Sequence, residues 1–315
     1  MISKMDIKIP KGPVVVDVHL INPVNFGPAQ IHRFMAPAVP ALETFKTSPS
    51  HSFYIEHPSG RRLIFDLGIR KDYQNYSKSI ADYLPTTKYD IEVSNNVSDI
   101  LEANGVEPGS IEAVIWSHWH WDHIGDPSSF PHNVDLIVGQ GFKDAMLPGY
   151  PANPNSPIRE SDYANRELRE ISFDTELKIG QFPAFDYFGD GSFYLLDSPG
   201  HAIGHLCGLA RTTTDEGGTA FAELQESRGR ASTDSLYDMT FGHDIPLARN
   251  TATWLQELDA DNRVFVIIAH DSTVRDGVDH FPKSLNDWKA KGLGHSLKWA
   301  FFRDLEPYFR DKGVI

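Results

Sequence analysis

The chain contains a single cysteine, Cys207, among 315 residues. One cysteine excludes an intramolecular disulfide and a zinc cluster built on thiolates. The surrounding letters, Gly204-His-Leu-Cys-Gly-Leu, predict an apolar strand in which a small buried thiol packs like a hydrophobic side chain.

Long apolar runs and positive charge are also scarce. No stretch approaches the roughly 20 apolar residues that span a bilayer, so a membrane partner is not expected. The 29 basic and 43 acidic residues give a formal charge of −14, which predicts overall repulsion of a phosphate backbone and argues against a nucleic-acid partner. The amino terminus lacks a signal-peptide pattern, so we expect a cytoplasmic location.

The organisation of the chain is that of an ordinary globular enzyme. It contains no heptad pattern, solenoid repeat or low-complexity tract. A length of 315 residues could hold two small domains, but one large α/β sandwich fits as well. We predict a single domain over residues 1–315 that acts on a small-molecule substrate. The sequence leaves the oligomeric state open.

Histidines and a carboxylate are concentrated in Ser-His-Trp-His-Trp-Asp-His, residues 117–123. The apolar residues 111–116 predict a buried strand that ends where this cluster begins. In an extended segment His118 and His120 fall on the same side, and a following turn can bring Asp122 and His123 to a neighbouring point. Imidazole and carboxylate together suit zinc, iron or manganese better than calcium or magnesium. The segment therefore predicts a metal site at the carboxyl end of a strand.

Two later segments place further histidines after predicted strands. Asp-Ser-Pro-Gly-His201-Ala-Ile-Gly-His205 follows the apolar residues 192–196, and His270 follows the apolar run 264–269. His243 stands in a similar local setting, but the residues before it make a poor buried strand, so the strand argument favours His270.

These elements resemble the metallo-β-lactamase superfamily, whose H-x-H-x-D-H signature is complete here, and most closely its N-acyl homoserine lactonase-like branch. The resemblance implies a four-layer αβ/βα sandwich and two divalent metal ions, most simply zinc. It gives Asp66, in Leu-Ile-Phe-Asp-Leu-Gly, and His205 supporting places near the metals. It implies one metal held by His118, His120 and His201, and a second held by Asp122, His123 and His270.

One departure from the family pattern concerns the acidic residue that usually bridges the two metals. The segment expected to carry it, residues 217–230, contains no Asp. Glu223, Glu226 and Asp234 lie at roughly suitable distances along the chain, and for each of them solvated charge on a loop is the simpler interpretation. The first metal site is complete in the sequence, and the second remains an open question.

The resemblance implies hydrolysis by a water whose pKa two cations lower towards about 7, with Asp122 or a nearby acid passing the proton to the leaving group. We expect a lactone or similar cyclic ester or amide as substrate. A small-heterocycle lactamase and a thioester hydrolase are the close alternatives. A mononuclear iron dioxygenase and a metal-binding protein without turnover are the alternatives from other classes.

Two further segments invite an interpretation. The proline-rich residues 148–157 are too long for a simple connection, so Tyr150 and Phe142 could face substrate, although surface packing explains them equally well. The aromatic residues of 288–302 are more typical of a packed core.

Overall fold

The computed structural model describes residues 7–36, 43–212 and 238–298, together with Ala300, Arg303, Glu306 and Arg310. Its strands are β1 (Asp17–Ile21), β2 (Val24–Gly27), β3 (Ala29–Gln30), β4 (Met35–Ala36), β5 (Thr44–Phe45), β6 (Ser48–Pro49), β7 (Ser52–Glu56), β8 (Arg62–Phe65), β9 (Asp90–Val93), β10 (Ala113–Ile115), β11 (Asp135–Val138), β12 (Leu168–Glu170), β13 (Lys178–Ile179), β14 (Phe182–Asp186), β15 (Phe193–Asp197), β16 (Leu206–Ala210) and β17 (Asp238–Met239).

The α-helices of the same residues are mostly short. They are α1 (Lys78–Thr87), α2 (Val97–Ala103), α3 (Trp121–Ile124), α4 (Phe142–Met146), α5 (Glu160–Tyr163), α6 (Ile245–Asp259), α7 (Ser272–Gly277) and α8 (Leu293–Ser296). Within the described ranges, none of these helices combines the length and the apolar character that crossing a membrane requires.

Two sheets form the centre of the molecule. The larger has the order β1-β7-β8-β10-β11-β12, and the second has the order β13-β14-β15-β16. Strands β8, β10, β11 and β12 are mutually parallel, whereas β1, β7 and β8 are antiparallel neighbours. The three residues of β10 are all buried, as expected for a parallel strand covered on both faces. The parallel strands therefore end together at one edge of the larger sheet.

Apolar side chains fill three successive interfaces. Leu63 and Ile115 of the larger sheet pack with Leu195 of the second sheet. The opposite face of the larger sheet contacts α1 and α2 through residues that include Leu101. The outer face of the second sheet packs against Leu258 and neighbouring residues of α6. The order is helices, sheet, sheet, helix, so the predicted αβ/βα sandwich is confirmed.

Two local predictions about elements are corrected. In the sequence, Ser94 precedes apolar residues at helical spacing and is therefore a candidate cap for α2. The structure instead has Asn96 as the cap, and its backbone N–H donates to Asp99 Oδ2 at 2.9 Å. Residues 264–269 are predicted to form a strand, yet 264–268 have no regular secondary structure and residue 269 lies in a turn. Their apolar side chains serve packing instead, because Phe265 stacks on Trp288 with ring centroids 5.5 Å apart. The last aromatic residues of the predicted packing tail, Trp299, Phe301 and Phe302, lie outside the described residues.

Candidate metal centre

The histidine-rich segment leaves the carboxyl end of β10 and turns directly into α3. His120 occupies the position before the helix, with extended backbone angles (φ −69°, ψ 148°), so the side chains on either side of it point in different directions. Asp122 and His123 belong to the first turn of α3, which has only four residues. The change from extended chain to helix is what separates the first two histidines from the Asp-His pair.

Hydrogen bonds from four other parts of the chain hold α3 in place. A four-residue helix leaves its last carbonyl groups without partners within the helix, so these groups need other donors. The carbonyls of residues 121–124 accept, in order, from Tyr76 Oη, Ser50 Oγ, Leu67 N and Trp116 Nε1. The backbone that carries Asp122 and His123 is thus fixed on every residue of the helix.

His118, His120 and His201 form one compact group. One ligand atom from each lies within 4.8 Å of the others. Nε2 of His118 is 2.9 Å from Nδ1 of His120, and the ring of His201 lies 4.8 Å from each of the other two rings, measured between centroids. Three imidazoles that converge in this way can hold a metal ion.

His201 reaches this group because its loop, between β15 and β16, packs closely on the start of α6. Gly200 has a φ of +116°, and a Cβ there would lie 2.2 Å from the backbone N of Ala248, so only glycine fits. The carbonyls of residues 199–201 accept, in order, from Thr251 Oγ1, Asp244 N and His243 N. Three consecutive carbonyls of this loop therefore accept hydrogen bonds from α6 and the residues just before it, as four carbonyls of α3 do from other parts of the chain.

Asp122, His123 and His270 form a second group whose ligand atoms also lie within 4.8 Å of one another. Oδ2 of Asp122 is 3.4 Å from Nε2 of His270 and 3.9 Å from Nε2 of His123. Nδ1 of His270 lies 2.8 Å from the carbonyl of Pro49 and is therefore the nitrogen that carries the proton. His243, the competing residue, is exposed and belongs to neither group.

Asp66 supports both groups from behind. Its φ of 61° turns the carboxylate towards the end of β10, where it accepts hydrogen bonds from Ser117 N at 2.6 Å and from Ser117 Oγ at 2.7 Å. The same carboxylate lies 2.7 Å from Nδ1 of His123, and Ser117 Oγ lies 3.0 Å from Nδ1 of His118. One carboxylate thus orients a histidine of each group.

His205, which was expected to support the site, lies beside it. Its Nδ1 is 2.7 Å from Ser198 Oγ, and its ring centroid is 4.9 Å from that of His118. It belongs to neither of the two groups.

Electrostatics favour the metal-binding protonation state at every residue of the two groups except His123, whose pKa is raised. Burial, reinforced by neighbouring imidazoles, lowers the pKa of His118 and brings the pKa of His120 to about 4 and that of His201 to about 3. Burial raises the pKa of Asp122, but the nearby imidazoles outweigh it and the net shift is downward. Burial lowers the pKa of His123, but Asp66 and Asp122 outweigh it and the net shift is upward. Neutral imidazoles and an ionised carboxylate are what a metal ion requires.

A sequence profile described as the metallo-beta-lactamase superfamily matches residues 46–208. The chain belongs to this superfamily. The ring centroids of His118 and His123 lie 4.2 Å apart, so the superfamily member has two adjacent groups that could bind metal. The donor set of imidazoles and one carboxylate fits zinc, iron or manganese.

Three known proteins show how this metallo-beta-lactamase superfamily chain relates to others. It is 39% identical to cytochrome P450 monooxygenase mpaDE of Penicillium roqueforti over 95% of this chain, but it spans only 38% of that protein's length. It is 35% identical to gamma-lactamase FDB1 of Fusarium pseudograminearum over 95% of this chain and 84% of that protein. Its fold is similar to that of B. thuringiensis AiiA, with a TM-score of 0.57 at 20% identity, covering 86% of this chain and 99% of the other.

Several features of the site had weak or no sequence signals. Ser50 and Tyr76 contact α3 from 72 and 45 residues away, and no periodicity marks them. Phe142, one of two aromatics expected near substrate, is 2% exposed and packs on Trp116, so it belongs to the core of the protein. Glu223, Glu226 and Asp234, the candidates for a bridging ligand, lie outside the described residues.

Proposed function

We propose that the protein is a metal-dependent hydrolase that opens a lactone or a similar cyclic ester or amide. The observation that carries this proposal is the pair of adjacent groups, each with three donor atoms within 4.8 Å of one another. Two cations held side by side are the arrangement with which proteins hydrolyse carbonyl and phosphoryl substrates. Membership of the metallo-beta-lactamase superfamily supports the same class of reaction.

We assign the first metal to His118, His120 and His201 and the second to Asp122, His123 and His270, with zinc as the proposed metal. The first set offers three imidazoles, which is a ligand set common in catalytic zinc sites. The second set contains one carboxylate and two imidazoles. In each set, a hydrogen bond at Nδ1 orients one histidine. The partner of His118 Nδ1 is Ser117 Oγ, and the partner of His270 Nδ1 is the carbonyl of Pro49.

When bound, the metals would supply a water of lowered pKa and polarise the carbonyl of the substrate. The residues of the chain hold the reacting groups in place. Oδ2 of Asp122 faces His123 and His270, and we assign to its other oxygen, Oδ1, the transfer of a proton to the leaving group. The lowered pKa keeps the Asp122 carboxylate ionised and makes it a weak base, so it would take a proton from the attacking water only transiently and pass that proton on to the leaving group.

The relatives support a cyclic amide as strongly as a cyclic ester. The Fusarium relative is named a gamma-lactamase, and this chain aligns with 84% of its length. The monooxygenase in the name of the Penicillium relative gives no support for oxidation here, because this chain spans 38% of that protein.

A substrate panel tests the proposal. The purified protein, with its metal content measured, is given a γ-lactone, a γ-lactam and an acyl thioester, while ring opening and oxygen uptake are followed. We expect metal-dependent opening of the lactone, the lactam or both, with no oxygen uptake. Turnover of the thioester alone, or oxygen uptake, would contradict the proposal. His243→Ala is the control variant, because this exposed histidine lies outside both groups.

A further inference from the structure

An exposed aromatic ring stands beside the first histidine group. Phe241 has 44% of its surface exposed. Such exposure is unusual here, because Tyr83 and Ile268 are the only other exposed large apolar residues in the part of the chain that the structure describes. Its ring centroid lies 5.8 Å from the rings of both His120 and His201. The ring therefore lies beside two proposed ligands while nearly half of its surface stays exposed.

The backbone fixes Phe241 in this place. The two residues after Gly242 donate from their amides to the loop that carries His201, through His243 N to His201 O at 3.0 Å and Asp244 N to Gly200 O at 2.8 Å. Gly242 itself has a φ of +148°, and a Cβ there would lie 3.3 Å from the carbonyl oxygen of Gly200. Residues 242–244 thus pack against the loop that carries His201. Because this backbone is fixed, the position of the Phe241 ring is restricted as well.

A second aromatic residue extends the same surface. Phe34 packs edge-on against Phe241, with centroids 5.7 Å apart and ring planes at 78°. The two residues come from distant parts of the chain that are joined by the pairing of β4 with β17. Together they form an apolar wall, Phe34 and Phe241, beside the histidine group.

We propose that Phe241 determines substrate specificity by receiving a flat apolar substituent next to the ring that is opened. This inference rests on the proposed function, because it places the substituent beside the metal-bound carbonyl. An aromatic face that is already held in position favours a flat ring through stacking or edge-to-face contact and loses little conformational entropy on binding. A small or strongly hydrated substituent gains much less from the same wall.

Two γ-lactones that differ only in a phenyl or a methyl substituent test this role. The ratio of their kcat/KM values is measured for the native protein and for Phe241→Ala, Phe241→Leu and Phe241→Trp. We expect the native protein to prefer the phenyl compound. Alanine and leucine should lower the ratio about two- to tenfold, the effect of one aromatic pair, and tryptophan should preserve it. The bound metal, measured by elemental analysis, should stay at the native level in Phe241→Leu.

Phe188→Ala is the matched control. Phe188 also packs on a histidine ring, that of His57, with centroids 4.4 Å apart, but it lies beside the β7–β8 hairpin at the opposite end of the larger sheet. This variant should leave both rates and their ratio unchanged. An unchanged ratio in Phe241→Ala and Phe241→Leu would overturn the specificity role while leaving the hydrolase proposal intact.

A binding measurement separates this inference from the proposed function. The ring-opened phenyl and methyl hydroxy acids are titrated calorimetrically into the metal-loaded protein, which requires no turnover. If the native protein opens neither lactone nor lactam, the hydrolase proposal fails, and the binding ratio alone decides the role of Phe241. A phenyl preference that is lost in Phe241→Leu supports the role, and equal ratios in the two proteins overturn it.

Discussion

Oδ2 of Asp66 lies 2.7 Å from Nδ1 of His123, and both side chains are buried. This contact settles which nitrogen of the imidazole carries the proton: Nδ1 donates to the carboxylate, so Nε2 presents its lone pair towards Asp122 and His270. Through Ser117 Oγ the same carboxylate also influences His118 in the other group. A residue outside both groups of possible ligands is thereby placed to orient a histidine of each.

Replacing Asp66 by Asn should weaken metal binding without removing a ligand. Ser117 N, an obligate donor 2.6 Å from Asp66 Oδ1, keeps the amide oxygen of the Asn on its side. The amide NH2 then faces His123 Nδ1 and cannot accept its proton, which disfavours the required tautomer, and we expect about 10- to 100-fold lower metal affinity. Competition with a chelator of known affinity measures it. Glu112→Gln is the control, since Glu112 is a carboxylate engaged by Arg61 beyond the other end of β10. Equal affinities in native and Asp66→Asn proteins would refute the assigned role.

Tyr76→Phe should loosen α3. The buried Tyr76 hydroxyl accepts from Arg70 N at 3.0 Å and donates to the carbonyl of Trp121 at 2.7 Å, so its removal leaves two backbone groups without this partner. We expect a loss of about 1–3 kcal/mol in the free energy of unfolding and a lower kcat/KM. Denaturant unfolding and steady-state kinetics measure the two effects.

The control for this variant is Tyr83→Phe, which removes a phenol hydroxyl from an exposed side chain. Its unfolding free energy should stay within about 0.5 kcal/mol of the native value. An equally small change in the unfolding free energy of Tyr76→Phe would show that the hydrogen bonds of Tyr76 do not stabilise α3.

The metal-ligand motif was predictable from the sequence because it is local. A strand followed by His118, His120, Asp122 and His123 needs only the alternation of a strand and one turn. The layered architecture was an expectation from the family resemblance, not from apolar periodicity, and the sandwich is confirmed. His270 belongs to the second group, although the strand argument used to choose it was wrong. The apolar run before it does not pair in a sheet, and its Phe265 packs against Trp288.

What the sequence did not predict depends on contacts between distant segments. Periodicity carries no information about a tyrosine hydroxyl that meets a carbonyl 45 residues away, as Tyr76 does. The cap of α2 also involves a distant segment, because Asn96 Oδ1 accepts from Lys71 N at 2.9 Å. The same holds for Phe142, whose burial depends on the position of Trp116.

Asp162 should make the stability of the fold depend on pH. Burial raises its pKa from 3.8 to about 7. Between pH 4 and 7 the unfolded chain has lost a proton that the folded chain retains, so the free energy of unfolding falls as pH rises and levels off above about pH 7. At about 1.4 kcal/mol per pKa unit the decrease is on the order of a few kcal/mol.

The variant Asp162→Asn isolates this contribution. An Asn side chain oxygen can still accept from Arg159 N, which lies 2.8 Å from the native carboxylate, but it does not titrate. Unfolding free energies of the two proteins are measured from pH 4 to 8 at matched metal content. As pH rises to 7, the native protein should lose free energy of unfolding relative to Asp162→Asn. Parallel pH profiles would show that Asp162 does not hold its proton in the folded state.

The number of metal ions bound per chain tests the central claim most directly. Elemental analysis is carried out on the native protein, on His120→Ala and His201→Ala from the first group, and on Asp122→Ala and His270→Ala from the second. We predict two ions in the native protein and the loss of about one in each variant, while His243→Ala keeps both. A native protein that binds no metal, or a His243→Ala variant that loses an ion retained by His270→Ala, would contradict the two ligand groups on which the proposed hydrolysis depends.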